Sequence, residues 1–167
     1  MGQLVEEVKL FNTPALGAFL LWKFTEGYTN GHRVGDAPTA IHHFIASAIL
    51  TNENLKIAIS NNRENLQSYI RSFEDNKTSD LLLSIHERVK AKMTYTWEAI
   101  DIAVANGLLF WEAETGKLHY KPQQNSPSYG NAPKPAIKRD GEKAEILGRW
   151  FAEHDLNTIT AYLKVIL

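Results

Sequence analysis

The chain has 167 residues, of which 44% are hydrophobic and 22% charged, with a formal net charge of −1. Such a length and composition describe one globular domain with a core of its own, and exclude a disordered chain. Near-neutral charge removes the electrostatic case for bulk binding to nucleic acid or membrane, and the absence of cysteine removes a disulfide framework, a thiolate zinc site and a cysteine nucleophile.

The opening, MGQLVEEVKL, lacks the basic and apolar regions of a secretory signal. Glu6 stands where myristoylation needs Ser or Thr. A cytoplasmic setting is expected. The uncharged run Leu10–Trp22 is shorter than the ~20 residues of a membrane span, so no membrane association is expected. Thr13-Pro14 marks a helix start, because the hydroxyl can accept from a free amide and proline in the first turn loses no hydrogen bond. Leu16, Phe19, Leu20 and Phe24 then follow helical spacing, and Ala18, Leu21 and Trp22 widen the apolar face until the helix reads as buried all round. Gly27 is predicted to end it, with GYTNGHRVGDAP a loop.

A second helix is predicted from Asp36 or Pro38 to Leu50, with Ile41, Phe44, Ile45 and Ala48 inward. After a polar break, Leu66, Tyr69, Ile70 and Phe73 stand at i, i+3, i+4 and i+7. Thr78 or Ser79 caps the next helix, with Leu82, Ile85 and Val89 inward. Thr94 opens a helix carrying Trp97, Ile100 and Val104, which Gly107 closes. The period then changes. Leu108–Glu112 and Lys117–Lys121 flank Glu114-Thr115-Gly116 and predict a β-hairpin. Gln123–Pro135, rich in Pro, Asn, Ser and Gly, reads as a mobile loop. Beyond it, Ala144, Leu147, Gly148 and Phe151 form one helical face with Ile146 and Trp150 beside it. Leu156, Ile159, Leu163 and Ile166 form another, flanked by Tyr162 and Val165.

The predicted fold class is therefore mainly α with one β-hairpin, a single compact helical domain over 1–167. Within it 78–121 can be read as a winged helix-turn-helix-like module, 122–135 as the loop and 139–167 as a C-terminal helical pair.

Chemical motifs are thin. The Gly-Lys of ETGKL lacks the upstream glycine, the following Ser or Thr and the helix that a phosphate loop needs, and reads as a hairpin turn. His42 and His43 are adjacent, so one is expected inward and one outward, which disfavours joint ligation of a metal. No metalloprotease spacing, nucleophile elbow or carboxylate in an apolar setting appears. The chain is read as a non-enzyme without cofactor or metal.

Two binding readings remain. Helix, turn, helix and wing could meet phosphates through Lys90, Lys92, Lys117 and Lys121. Against that, the would-be recognition helix carries Glu98 and Asp101 and neither Lys nor Arg. Alternatively, the terminal helices have more apolar width than one contact requires. Trp150, Phe151, Tyr162 and Val165 are then candidate anchors for a partner or a second copy, or they close over the first helix, or both.

Three stretches carry a resemblance: LFNTPALGAFLLWKFTEGY, AIDIAVANGLLFWEAETGKL and KAEILGRWFAEHDLNTITAYLKV. They resemble the middle component of prokaryotic three-component ABC systems. That family opens on an Asn-x-Pro helix, like Asn12 and Pro14, followed by a Gly-Tyr like Gly27-Tyr28. It has a helix ending in Gly-Leu before a Gly-turned hairpin, like Gly107-Leu108 and Gly116. It closes on Ala-x-x-Leu-Gly-x-Trp-Phe, like Ala144, Leu147, Gly148, Trp150 and Phe151, and then on a Thr-Ile…Tyr helix like Thr158, Ile159 and Tyr162. Two positions depart: Ala46-Ser47 stand where a proline is expected, and Lys164 replaces the glycine of a Leu-Gly-Val ending. The resemblance implies a non-enzymatic adaptor between an ABC-type ATPase of the chromosome-maintenance and repair kind and an effector or recognition subunit encoded nearby. It further implies a role in defence against phage or plasmids, with nucleic acid met only through the complex.

Overall fold

Thr13 and Pro14 start the first helix as their chemistry requires. In the computed structural model, which describes residues 13–74, 77–123 and 134–167, the Thr13 hydroxyl accepts from the Leu16 amide at 3.4 Å. Helix α1 (Pro14–Gly31) is followed by α2 (Ala40–Leu50), α3 (Glu53–Ile57), α4 (Leu66–Arg71), α5 (Ser79–Leu83), α6 (Ile85–Ala91) and α7 (Met93–Ala105). Strands β1 (Leu109–Glu112) and β2 (Lys117–Tyr120) form one antiparallel hairpin, and α8 (Pro135–Ala152) and α9 (Leu156–Leu163) complete the order. The fold is mainly helical with a single hairpin among the described residues. The MGQLVEEVKL opening and positions 124–133 of the expected loop lie outside them. The expected C-terminal pair begins earlier than residue 139, because Pro135 sits in the first turn of α8.

The chain is organised around α1, which lies along α8 more extensively than any other two elements meet and packs next against α7. The predicted closure of the C-terminal segment over the first helix is thus how the core is made. Phe24 of α1 meets Phe151 of α8 edge-to-face at 5.4 Å, and Ala144, Leu147 and Phe151 are fully buried. This seam also explains why α1 runs past Gly27, where sequence predicted a stop. A Cβ on Gly27 would lie 2.1 Å from the Glu145 carbonyl oxygen, and one on Gly148 would lie 2.1 Å from the Phe24 carbonyl oxygen. Each glycine serves backbone-to-backbone contact, which outweighs its poor helix propensity. The Gly-Tyr and Leu-Gly-x-Trp-Phe motifs are the two sides of one helix crossing.

Helix α2 departs from its predicted orientation. His42 and His43 are both buried, because α2 is covered by α1 on one side and meets α6, α7 and α8 on others. His42 Nδ1 accepts from the Thr39 amide at 3.0 Å and so caps α2. His43 lies between the Thr39 carbonyl, 2.7 Å from Nδ1, and the Thr25 hydroxyl, 2.8 Å from Nε2. Burial pulls the two imidazoles down to about 4 and about 3, so both are neutral at pH 7. Ile41, predicted inward, is exposed instead.

The single helix expected to carry Leu82, Ile85 and Val89 is divided at Ser84, whose hydroxyl donates to the Leu81 carbonyl at 2.6 Å. In the hairpin Leu109 faces Tyr120 and Trp111 faces Leu118. Gly116 turns it with φ of 70°, as Gly107 does at the end of α7. The segment before α2 docks on the hairpin: the Ala40 amide donates to Gly116 O at 3.0 Å and the Leu118 amide to Pro38 O at 2.9 Å. Near the other end of the core, Lys56 of α3 reaches Asp140 of α8 at 3.0 Å, both side chains about nine-tenths buried. Burial opposes the Lys56 charge, but hydrogen bonds to Glu53 and Asp140 hold its pKa above the ordinary lysine value.

Candidate docking groove

The four C-terminal anchors proposed from sequence do not share a surface. Trp150, Phe151 and Val165 are buried in the chain's own core. Trp150 packs on Tyr69 at 5.6 Å, whose hydroxyl donates to the Leu55 carbonyl at 2.9 Å. Tyr162 alone of the four stays partly open. Its ring stands edge-on to His154 at 5.4 Å, and its hydroxyl accepts from Gln67 Nε2 at 2.7 Å. The apolar width of α8 is used up by α1 on one face and by the α3–α4 region on another.

The four lysines of the phosphate reading are placed as follows. Lys117 Nζ is held by both carboxylate oxygens of Asp36, at 2.9 and 2.8 Å. That hydrogen bond raises the Lys117 pKa and lowers that of Asp36. Lys92 lies over the Tyr95 ring at 5.0 Å and Lys121 over Phe110 at 5.7 Å. Lys90 is exposed on the rim of an apolar recess.

That recess is where the fold leaves hydrophobic surface unspent. Along α7, Thr96, Ala99, Ile100 and Ala103 face the core. At helical spacing this rotates Met93, Trp97 and Val104 to the edge of the buried stripe, where they stay exposed. Trp97 stands edge-on to Phe44 of α2 at 4.9 Å and faces Trp111 of β1 at 6.3 Å. On the α6 side of Trp97 lies a cavity of about 340 Å³, walled by Ile41, Phe44, Val89, Met93 and Ile166, with His86 and Lys90 its only ionisable side chains. On the other side a second cavity, of about 430 Å³, is bounded by Ile100, Asp101, Val104 and Trp111. Together they form one groove with Trp97 as its central ridge.

The tail completes the wall. Helix α9 ends in a left-handed residue, Lys164 with φ of 57°, and the Val165 amide then reaches back to Thr160 O at 2.9 Å. This is the paired-bond ending that normally carries glycine. Val165 turns into the core, and the Ile166 amide donates to His86 Nδ1 at 3.2 Å, which holds Ile166 and Leu167 against α6. Ile166, expected inward on the face of Ile159 and Leu163, is exposed instead. The reversal at Lys164 breaks that periodicity.

Such a groove has apolar walls and few converging polar groups, so it suits a protein surface better than a small molecule, whose orientation polar groups must fix. The fold is that of a mainly helical domain with an open apolar recess. The chain belongs to the family of ABC-three component (ABC-3C) system Middle Component 3, whose description matches residues 1–167. No curated protein and no solved structure matches it. Among the described residues no helix is long and apolar enough to cross a membrane.

Proposed function

We propose that the chain is a non-enzymatic adaptor. It bridges an ABC-type ATPase of the chromosome-maintenance and repair kind and an effector or recognition subunit encoded nearby. It acts in the cytoplasm of a prokaryote, in defence against phage or plasmids, and meets nucleic acid only through its partners. The observation that carries this reading is the match of the whole chain to a middle-component family. Of the C-terminal set, Tyr162 is the proposed contact with a partner subunit, and Trp150, Phe151 and Val165 hold its helix in place from the core.

Co-expression with the products of the adjacent genes, followed by size-exclusion chromatography with light scattering, tests the adaptor role. The expected result is a stable complex containing the ATPase, weakened by Tyr162→Ala while the variant alone stays folded. A chain that ignores its neighbours, yet binds duplex DNA with a salt dependence that falls on changing Lys90 and Lys117 to Glu, would replace the adaptor with the winged-helix reading.

A further inference from the structure

The exposed apolar side chains of the groove are contributed by three separated parts of the chain: Ile41 from α2, Met93, Trp97 and Val104 from α7, and Ile166 and Leu167 from the tail. Each of the six is between 38% and 78% exposed. The exposed charged side chains at the two ends of the groove are opposite in sign. Lys90 lines the end toward α6, and Asp101 lines the end beyond Trp97. Both are exposed, and neither has an ion-pair partner among the described residues.

A surface with an apolar centre and opposite charges at its ends is complementary to itself. A two-fold axis through Trp97 exchanges the ends, so Lys90 of each copy comes to Asp101 of the other, and the two Trp97 ridges meet between them. The reverse alignment would put like charges together and is disfavoured. We propose that this groove is the seam of a symmetric homodimer, with a second copy of the chain as its occupant.

The seam is tested on the full-length chain alone, so its failure leaves the co-expression result untouched. Sedimentation equilibrium from about 1 to about 100 µM is expected to give a monomer–dimer equilibrium in the micromolar range or tighter. Lys90→Glu and Asp101→Lys each set like charges against each other twice and should weaken the dimer by about 10-fold or more. The double variant K90E/D101K reverses both ends and should restore the parental dissociation constant within about 3-fold. Both positions are exposed, so these variants keep the fold where a Trp97 replacement would disturb the aromatic cluster with Phe44 and Trp111. A monomer at every concentration overturns the proposal. So does a dimer that neither single reversal weakens, because its seam then lies elsewhere.

Discussion

Gly148→Ala adds one methyl group at the closest approach of α1 and α8, and the structure sets what that costs. The new Cβ would fall 2.1 Å from the Phe24 carbonyl oxygen and 2.7 Å from the Tyr28 amide nitrogen, whereas ordinary contact begins near 3.4 Å. Both obstacles are backbone, so no rotamer change relieves them. The helices must part by about 1 Å, and a gap of that size forfeits roughly a quarter to a half of each dispersion contact across the seam. Phe24, Leu147 and Phe151, all fully buried there, would lose contact together. Overpacking usually costs about 1–3 kcal/mol and this case lies at or above the upper end, near 4. Alanine returns about 1 kcal/mol of helix propensity. The net expectation is a loss of about 3 kcal/mol, or roughly 6–12 °C in melting temperature for a chain of this size. Gly27→Ala should cost a similar amount. The double variant should cost clearly less than the two singles together, since helices already parted by one methyl accept the second. Gly31→Ala, whose Cβ would meet Arg149 Cα at 3.1 Å, should cost under about 1 kcal/mol. Urea titration followed by circular dichroism reads all four. Parental stability in Gly148→Ala, or strict additivity in the double, would refute a backbone contact between these helices.

Lys164→Gly should stabilise. A non-glycine residue in the left-handed region costs about 1–2 kcal/mol, and glycine's greater unfolded freedom takes back about half, leaving a gain near 1 kcal/mol and about 2–4 °C by calorimetry. Asp140→Asn, which leaves Lys56 its bond to Glu53, should cost about 1–3 kcal/mol, while the double change Lys56→Met/Asp140→Leu should fall within about 1 kcal/mol of the parent in the same urea assay. His42 and His43 make stability depend on pH. Their folded pKa values lie below the unfolded value of 6.5, so their contribution is complete above that pH. It falls as acid protonates only the unfolded state, and is exhausted once the folded values of about 4 and about 3 are passed. From pH 6.5 to 5 each should withdraw about 1.5 kcal/mol, and a urea midpoint that stays flat across that window would contradict their burial as neutral groups.

What the sequence made legible was whatever periodicity or local chemistry determines. Thr13-Pro14 started its helix, Gly107 and Gly116 took positive φ, and the Ala144, Leu147, Gly148 and Phe151 face turned inward. What it hid depends on contacts made from far away. Gly27 looks like a helix stop unless the Glu145 backbone against it is known. His42 and His43 cannot both be set inward by counting residues, since only a helix covered on more than one side buries adjacent positions. Helical spacing showed that Trp150 and Trp97 were both apolar points on helices. It could not say that α4 would cover one while the other stayed open. That Lys164 stands where the resemblance leads one to expect glycine was visible as a letter, but its left-handed conformation was not.

The crossing of α1 and α8 has a consequence for how the protein comes into being. Gly31 and Pro135 are separated by about a hundred residues, so the chain's largest helix contact is also one of its most distant in sequence. During synthesis α1 is complete early, while the helix that covers Phe24 and Gly27 is still untranslated. At the usual 5–20 residues per second that interval lasts on the order of ten seconds. Throughout it the central helix of the fold lacks its main cover, and α7 can shield only part of it. Any chain cut short before Gly148 keeps that surface bare, so truncated products should be bound by chaperones or degraded rather than accumulate as folded fragments.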